Sequence, residues 1–155
     1  RRVDAAPPVL LAGLGRARDE LLSAPGGELL LIGRRHLRDD NSWLHNSARL
    51  VKGRPRHQLL MHPADLDARG LADGGRALVR SCGGEVTVDV RASEDVMPGV
   101  VSLPHGYGHA LPGVRLSVAT TLDGASANDL TDPARLDELS GTAALNGVPV
   151  TVEPA

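Results

Sequence analysis

The stretch IGRRHLRDDNSWLHNSARL, residues 32–50, gathers side chains able to recognise a polar ligand directly after an apolar run. Gly33 leads into Arg34 and Arg35, and a guanidinium leaving a strand end can hold phosphate oxygens through two parallel N–H bonds. Asn41, Ser42, His45 and Asn46 carry both donors and acceptors, as the mixed edge of a heterocycle requires. Trp43, the single tryptophan, offers a flat apolar face and one N–H. The same composition also describes a polar loop whose Trp43 fills a gap and whose arginines pair with Asp39 and Asp40. Residue types alone leave both readings open.

Three further places carry candidate chemistry. In PHGYGH, residues 104–109, His105 and His109 flank Gly106-Tyr107-Gly108. Two histidines can start a metal site, but no pattern nearby supplies a third ligand, so a histidine turn beside a pocket fits better. An ordinary surface turn is the competing reading. In GASANDLTD, residues 124–132, Asn128 sits in a short polar turn anchored by Leu130, or caps a helix over TDPARLDEL. The loop from Ser140-Gly141 to Asn146-Gly147 places Asn146 just before the last apolar segment. Nucleophilic catalysis finds no support. No G-x-S-x-G elbow exists, and Ser81, Ser93 and Ser102 stand in plain strand or turn contexts. The single cysteine, Cys82, excludes an internal disulfide and a multi-thiolate metal site. Neither a Walker-type loop nor a G-x-G-x-x-G after a strand is present.

The elements that must hold these groups are mostly short strands. ELLLIG (28–33) reads as a buried strand and LLM (59–61) as another. PADLDARG makes about two helical turns, started by Pro63 and ended by Gly70, followed by an ADGG turn. Alternation in RALVRS and GEVTVDVRA predicts two half-buried strands joined at Cys82-Gly83-Gly84. PGVVSLP, GVRLSVAT and GVPVTVE complete the strand set. Ahead of them, residues 1–14 read as a linker or docking arm, and GRARDELLSAPGG as a short helix stopped by Pro25-Gly26-Gly27. Short strands punctuated by Gly and Pro, without βαβ alternation, predict a mainly β barrel with small helices.

Bulk properties narrow the partners. With 155 residues the chain suits one compact domain, and Val, Leu, Ala and Ile must fill its core because Phe is absent. A net charge of −2 from 17 basic and 19 acidic residues gives no support for bulk attraction to nucleic acid or a membrane surface. No apolar run reaches membrane-spanning length and no signal peptide is visible, so a cytoplasmic location is expected. The missing initiator Met suggests a piece of a longer protein.

Taken in order, LLLIGRRHLRDDNSWLHN, LLMHPADLDARGLADGGRALVRSCGGEVTVDV, DVMPGVVSLPHGYGH, NDLTD and SGTAALNGVPVTV resemble one family. It is the C-terminal dinucleotide-binding domain of molybdopterin oxidoreductases, the group that includes formate dehydrogenases, nitrate reductases and dimethyl sulfoxide reductase. The resemblance spans roughly residues 8–153. It implies a double-psi β-barrel over 28–155, preceded by a linker and short helix over 1–27. It also implies a share in binding bis(molybdopterin guanine dinucleotide) with molybdenum or tungsten, in an enzyme whose upstream domains supply the metal ligand and an iron–sulfur cluster. By the resemblance, pterin and phosphate contacts fall to Gly33, Arg34, Ser42, Trp43, His45, Asn46, His105, Gly106, Asn128 and Asn146; Arg35 and Asn41 join them from their residue chemistry alone. No residue here matches the metal ligand, so this chain by itself is not expected to be catalytic. Ile32 stands where many members have Thr, Asn146 where Lys is common, and the Arg34–Trp43 loop is longer than usual. The alternative is a free-standing double-psi barrel acting as a binding or adaptor module, which gives no reason for residues 32–46 or Asn128.

Overall fold

The computed structural model describes residues 4–22, 29–137 and 139–155. Six strands form a closed barrel: β1 (Leu29–Arg34), β2 (Leu59–Met61), β3 (Arg76–Arg80), β4 (Glu85–Ala92), β5 (Val100–Pro104) and β6 (Val148–Pro154), neighbouring in the order β1-β5-β2-β4-β3-β6. β1 with β5 and β2 with β4 are parallel, and the other neighbours are antiparallel. This interleaved topology is the double-psi β-barrel. Closure satisfies the backbone all round and leaves no sheet edge open.

The alternation seen in the sequence is what fills the interior. Ala77 and Val79 of β3, Val86, Val88 and Val90 of β4, and Val148, Val150 and Val152 of β6 point inward and are buried. Leu29, Leu31, Leu59, Met61, Val101 and Leu103 complete the packing from the other strands. Each fully buried Leu or Val contributes about 1.5–3 kcal/mol relative to exposure, so aliphatic side chains serve without Phe.

Strand directions sort the loops between two mouths. One mouth is closed by α2 (Pro63–Ala68), with His62 as N-cap accepting from the Ala64 amide at 3.2 Å and Pro63 at the first turn. Gly70 (φ 65) ends this helix, with the Leu71 amide donating to Leu66 O at 3.0 Å and that of Gly70 to Asp67 O at 3.2 Å. Asp65 Oδ2 accepts from the Gly99 amide and Asp73 Oδ1 from the Ala92 amide, both at 2.7 Å. The HPADLDARGLADGG unit thus plugs and staples this end.

Several expectations need correction. Residues 8–14 are not a linker, since α1 runs over Pro8–Leu22; Pro8 tolerates a first-turn position, and Gly13 packs against Leu139. The expected stop at Pro25-Gly26-Gly27 and the strand position Glu28 lie outside the described residues. GVRLSVAT is not a strand. The barrel closes without it, and Asn46 Oδ1 instead accepts from the Val118 and Ala119 amides at 2.8 and 3.2 Å, setting a 3-10 turn over Ala119–Thr121. TDPARLDEL forms no helix among the described residues; turns and an isolated Leu136–Ala143 bridge stand there. Asn128 therefore caps nothing downstream. It lies inside a 3-10 turn, Ala127–Leu130, that Ser126 caps.

Candidate functional site

The second mouth collects the C-terminal ends of β1, β3 and β5 and the N-terminal ends of β2, β4 and β6. Residues 33–46, the 105–109 turn, the Ala127–Leu130 turn and Asn146 all belong to it, so the topology brings every residue of the expected set to one end. Two glycines press the loops together. An ideal Cβ on Gly33 would lie 2.1 Å from His105 Nε2, and one on Gly106 (φ +92) would lie 1.5 Å from Asn41 O. At Gly106 the obstacle is backbone, so a side chain there would drive the loops apart, whereas at Gly33 it would displace the His105 ring. Asp40 and Asn41 adopt positive φ, 42° and 63°, a region short polar residues tolerate best, and this bend carries residues 42–46 back over the mouth.

Within the expected set, roles divide. Arg34 turns inward: Nη1 donates to Ser102 O at 2.8 Å and Nη2 to Gln58 O at 2.8 Å, tying β1 to β5 and to the residue before β2. Burial lowers its pKa, opposed by Tyr107 and Asp39. It therefore pairs with neither Asp39 nor Asp40. Arg35 is exposed, and among the described residues its guanidinium has no partner. The side chains of Asn41, Ser42 and Asn128 likewise make no hydrogen bond among the described residues. Trp43 does not fill a gap, being 83 % exposed. Asn146 Oδ1 accepts from the Gly33 amide at 2.7 Å and locks the β1–β6 end, while Asn46 is spent on the Ala119 turn. His105, half-buried over Gly33, has its pKa lowered by burial and then by Arg35. His45 is fully buried and offers a ligand no surface of its own.

Sequence reasoning missed the polar network beneath. Asp39 is buried and takes Arg56, not Arg34 or Arg35: Arg56 Nη2 and Nε donate to its Oδ1 at 2.6 and 3.2 Å. Burial opposes the Arg56 cation, but the bond and charge of Asp39 outweigh it and raise its pKa. Tyr107 stacks at 4.5 Å from His45 and 4.7 Å from His57 between ring centroids, and burial raises its pKa. His57 Nε2 lies 3.0 Å from Ala125 O and 3.2 Å from the Ala125 amide, with its pKa lowered chiefly by burial. Gly124 is required beside these rings, since a Cβ there would meet both at 2.8 Å. Arg56 and His57 carried no local signal, because their partners lie 17 and 68 residues away. No group of histidine, cysteine and carboxylate able to hold a metal occurs among the described residues.

The chain is thus a closed double-psi barrel with polar loops gathered at one mouth. Comparison with known proteins makes the class specific. Residues 29–149 match the family described as Molydopterin dinucleotide binding domain. The chain is 33 % identical over 122 residues to one subunit of the tetrathionate reductase of Salmonella typhimurium, covering 68 % of this chain and 12 % of that protein. It is 37 % identical over 93 residues to the arsenate respiratory reductase molybdopterin-containing subunit ArrA of Chrysiogenes arsenatis, covering 57 % of this chain and 11 % of that protein. Acetylene hydratase from Pelobacter acetylenicus shares the fold, with a TM-score of 0.69 at 18 % identity over 94 % of this chain and 20 % of that one. This chain belongs to the molybdopterin dinucleotide-binding domain family. It spans only about a tenth of the length of the curated relatives it matches.

Proposed function

We propose that this chain is the C-terminal domain of a larger molybdenum- or tungsten-dependent oxidoreductase and holds part of a bis(molybdopterin guanine dinucleotide) cofactor at the loop-lined mouth. The observation that carries the reading is a donor set left over once the barrel's own bonds are counted. Arg35, Asn41, Ser42 and Asn128 have unspent polar groups among the described residues, and Trp43 presents an open ring. A pterin edge needs mixed donors and acceptors, and a diphosphate needs a cation, so the residues present fit the group. The close approach of Gly106 to the Asn41 backbone fixes the separation of the two loops, which keeps those donors pre-organised.

When bound, the cofactor's metal supplies the electron transfer, and the protein's part is binding, orientation and electrostatic tuning. Arg35 places positive charge at the rim, while Asn41 and Asn128 offer amides that can donate and accept. Upstream domains of the same polypeptide supply the metal ligand and, we propose, an iron–sulfur cluster. The relatives reduce different substrates by their names, tetrathionate and arsenate, and the residues here select none.

Molybdenum, tungsten and guanine nucleotide quantified in the purified parent protein test the proposal. Stoichiometric metal and nucleotide, both reduced by Arg35→Ala with Asn128→Ala, are the expected result. A parent protein with neither metal nor nucleotide refutes it and favours the adaptor module.

A further inference from the structure

A line of polar groups runs from the interior of the mouth to its surface. Asp39 is 2 % exposed and His45 0 %, whereas His109 is half-buried. His45 Nε2 lies 3.4 Å from Asp39 Oδ1, and His45 Nδ1 lies 2.8 Å from His109 Nε2. Placing an imidazole in a sealed site is costly unless its polar atoms are used. Packing alone would be served by an apolar ring.

The order of protons along this line follows from Asp39. Its Oδ1 accepts from Arg56 Nη2 and its Oδ2 from Tyr107 OH at 3.4 Å, so it faces His45 as an acceptor. His45 Nε2 makes no aligned hydrogen bond among the described residues, so the carboxylate acts on it through charge at close range. His36, the other histidine near Asp39, has Nδ1 4.0 Å from Oδ1 but uses that atom to accept from the Arg38 amide at 3.1 Å. A lone pair on His45 Nε2 would oppose the carboxylate, so Nε2 carries the hydrogen. Burial, with the Arg56 cation adding to it, holds His45 neutral against the pull of Asp39. A neutral His45 with hydrogen on Nε2 has its lone pair on Nδ1. His109 Nε2 must then be the donor across the 2.8 Å contact. That leaves the lone pair of His109 on Nδ1, an atom without a partner among the described residues.

We infer that His109 is a ligand-recognising residue of this mouth, presented as a hydrogen-bond acceptor at Nδ1 for a ring N–H of a pterin-class heterocycle. Asp39 and His45 are its positioning residues and fix its tautomer. The ligand class rests on the proposed function above; the tautomer does not. His45 thereby acts on the ligand without touching it, which explains a histidine with no exposed surface beside a binding loop. The logic is that of a carboxylate–histidine pair that orients a third group.

Long-range proton–nitrogen NMR of the ¹⁵N-labelled chain at neutral pH tests the tautomer without any variant. The expected pattern is pyrrole-type Nε2 and pyridine-type Nδ1 in both His45 and His109. Hydrogen on Nδ1 of either ring overturns the inference and leaves the family role untouched. Where Asp39→Asn still folds, His109 should become a mixture of tautomers, a signature that a purely structural Asp39 would not alter. Titration with 6-hydroxymethylpterin tests recognition. His109 Nδ1 should shift saturably, and His109→Ala should bind roughly fivefold more weakly, the loss of one neutral hydrogen bond. Shifts confined to residues 33–46 would overturn the role of His109 alone. No shift anywhere would overturn pterin recognition at this mouth, and with it both readings.

Discussion

Replacing Gly106 by alanine tests the packing that holds the two mouth loops together, and Gly99→Ala is its matched control. Both glycines adopt left-handed backbone, φ +92 and +83. Each alanine therefore carries a similar conformational penalty of about 1–2 kcal/mol. Their surroundings differ. A Cβ at Gly99 meets nothing within 4 Å, whereas one at Gly106 would lie 1.5 Å from Asn41 O and 2.4 Å from Asn41 C. A backbone carbonyl cannot rotate aside as a side chain does, so the loop must shift, adding about 1–3 kcal/mol or more. At about 2–4 °C per kcal/mol for a chain of this size, Gly106→Ala should melt roughly 6 °C below Gly99→Ala. Circular dichroism melts measure the difference, and hydrogen exchange locates it. The amides of Trp43, Leu44 and His45, bonded to Asp40 O, Asp39 O and Ser42 O, should exchange faster in Gly106→Ala only. Equal melting temperatures with unchanged exchange over residues 40–46 would refute the loop contact.

Arg34→Ala should lower stability by about 2–3 kcal/mol in urea unfolding, because Gln58 O and Ser102 O lose charged donors. Arg35→Ala should stay within about 0.5 kcal/mol of wild type while reducing cofactor content of the parent protein. Asp39→Asn should cost about 3–5 kcal/mol, since it strips Arg56 of its buried partner and His45 of the charge facing it; calorimetry measures this. Stability should also fall in mild acid. His45 and His57 have folded pKa values below the ordinary 6.5, so their unfolded forms bind protons first as pH drops. Their contribution is complete above about pH 6.5 and is lost as pH falls from there to the folded values, with a slope of up to about 1.4 kcal/mol per pH unit for each. Urea unfolding at pH 7.5 and 5.5 reads this directly, and a flat profile would contradict burial of the two rings.

Local chemistry was legible wherever the chain interacts with itself at short range. Alternation in RALVRS and GEVTVDVRA marked inward valines, and Pro63 and Gly70 bounded their helix, because side-chain direction and φ restrictions act within a few residues. The order of five polar motifs pointed to one family and, through it, to the barrel and the ligand. GVRLSVAT shows where such reading fails. Its alternation is that of a strand, but a closed barrel has no edge to pair it, and Asn46 from a distant loop holds it as a turn. The partner of Asp39 was equally hidden. Arg34, Arg35 and Arg38 all stood closer in sequence than Arg56, yet Arg34 is drawn to carbonyls of β5 and of the residue before β2, and Arg56 takes the carboxylate. Which residue types gather in residues 32–50 was a property of the chain alone. Which of them stay exposed at the mouth, which brace the barrel, and that His45 meets His109, depended on distances closed by the fold, where burial makes each unpaired charge or lone pair costly enough to choose its partner.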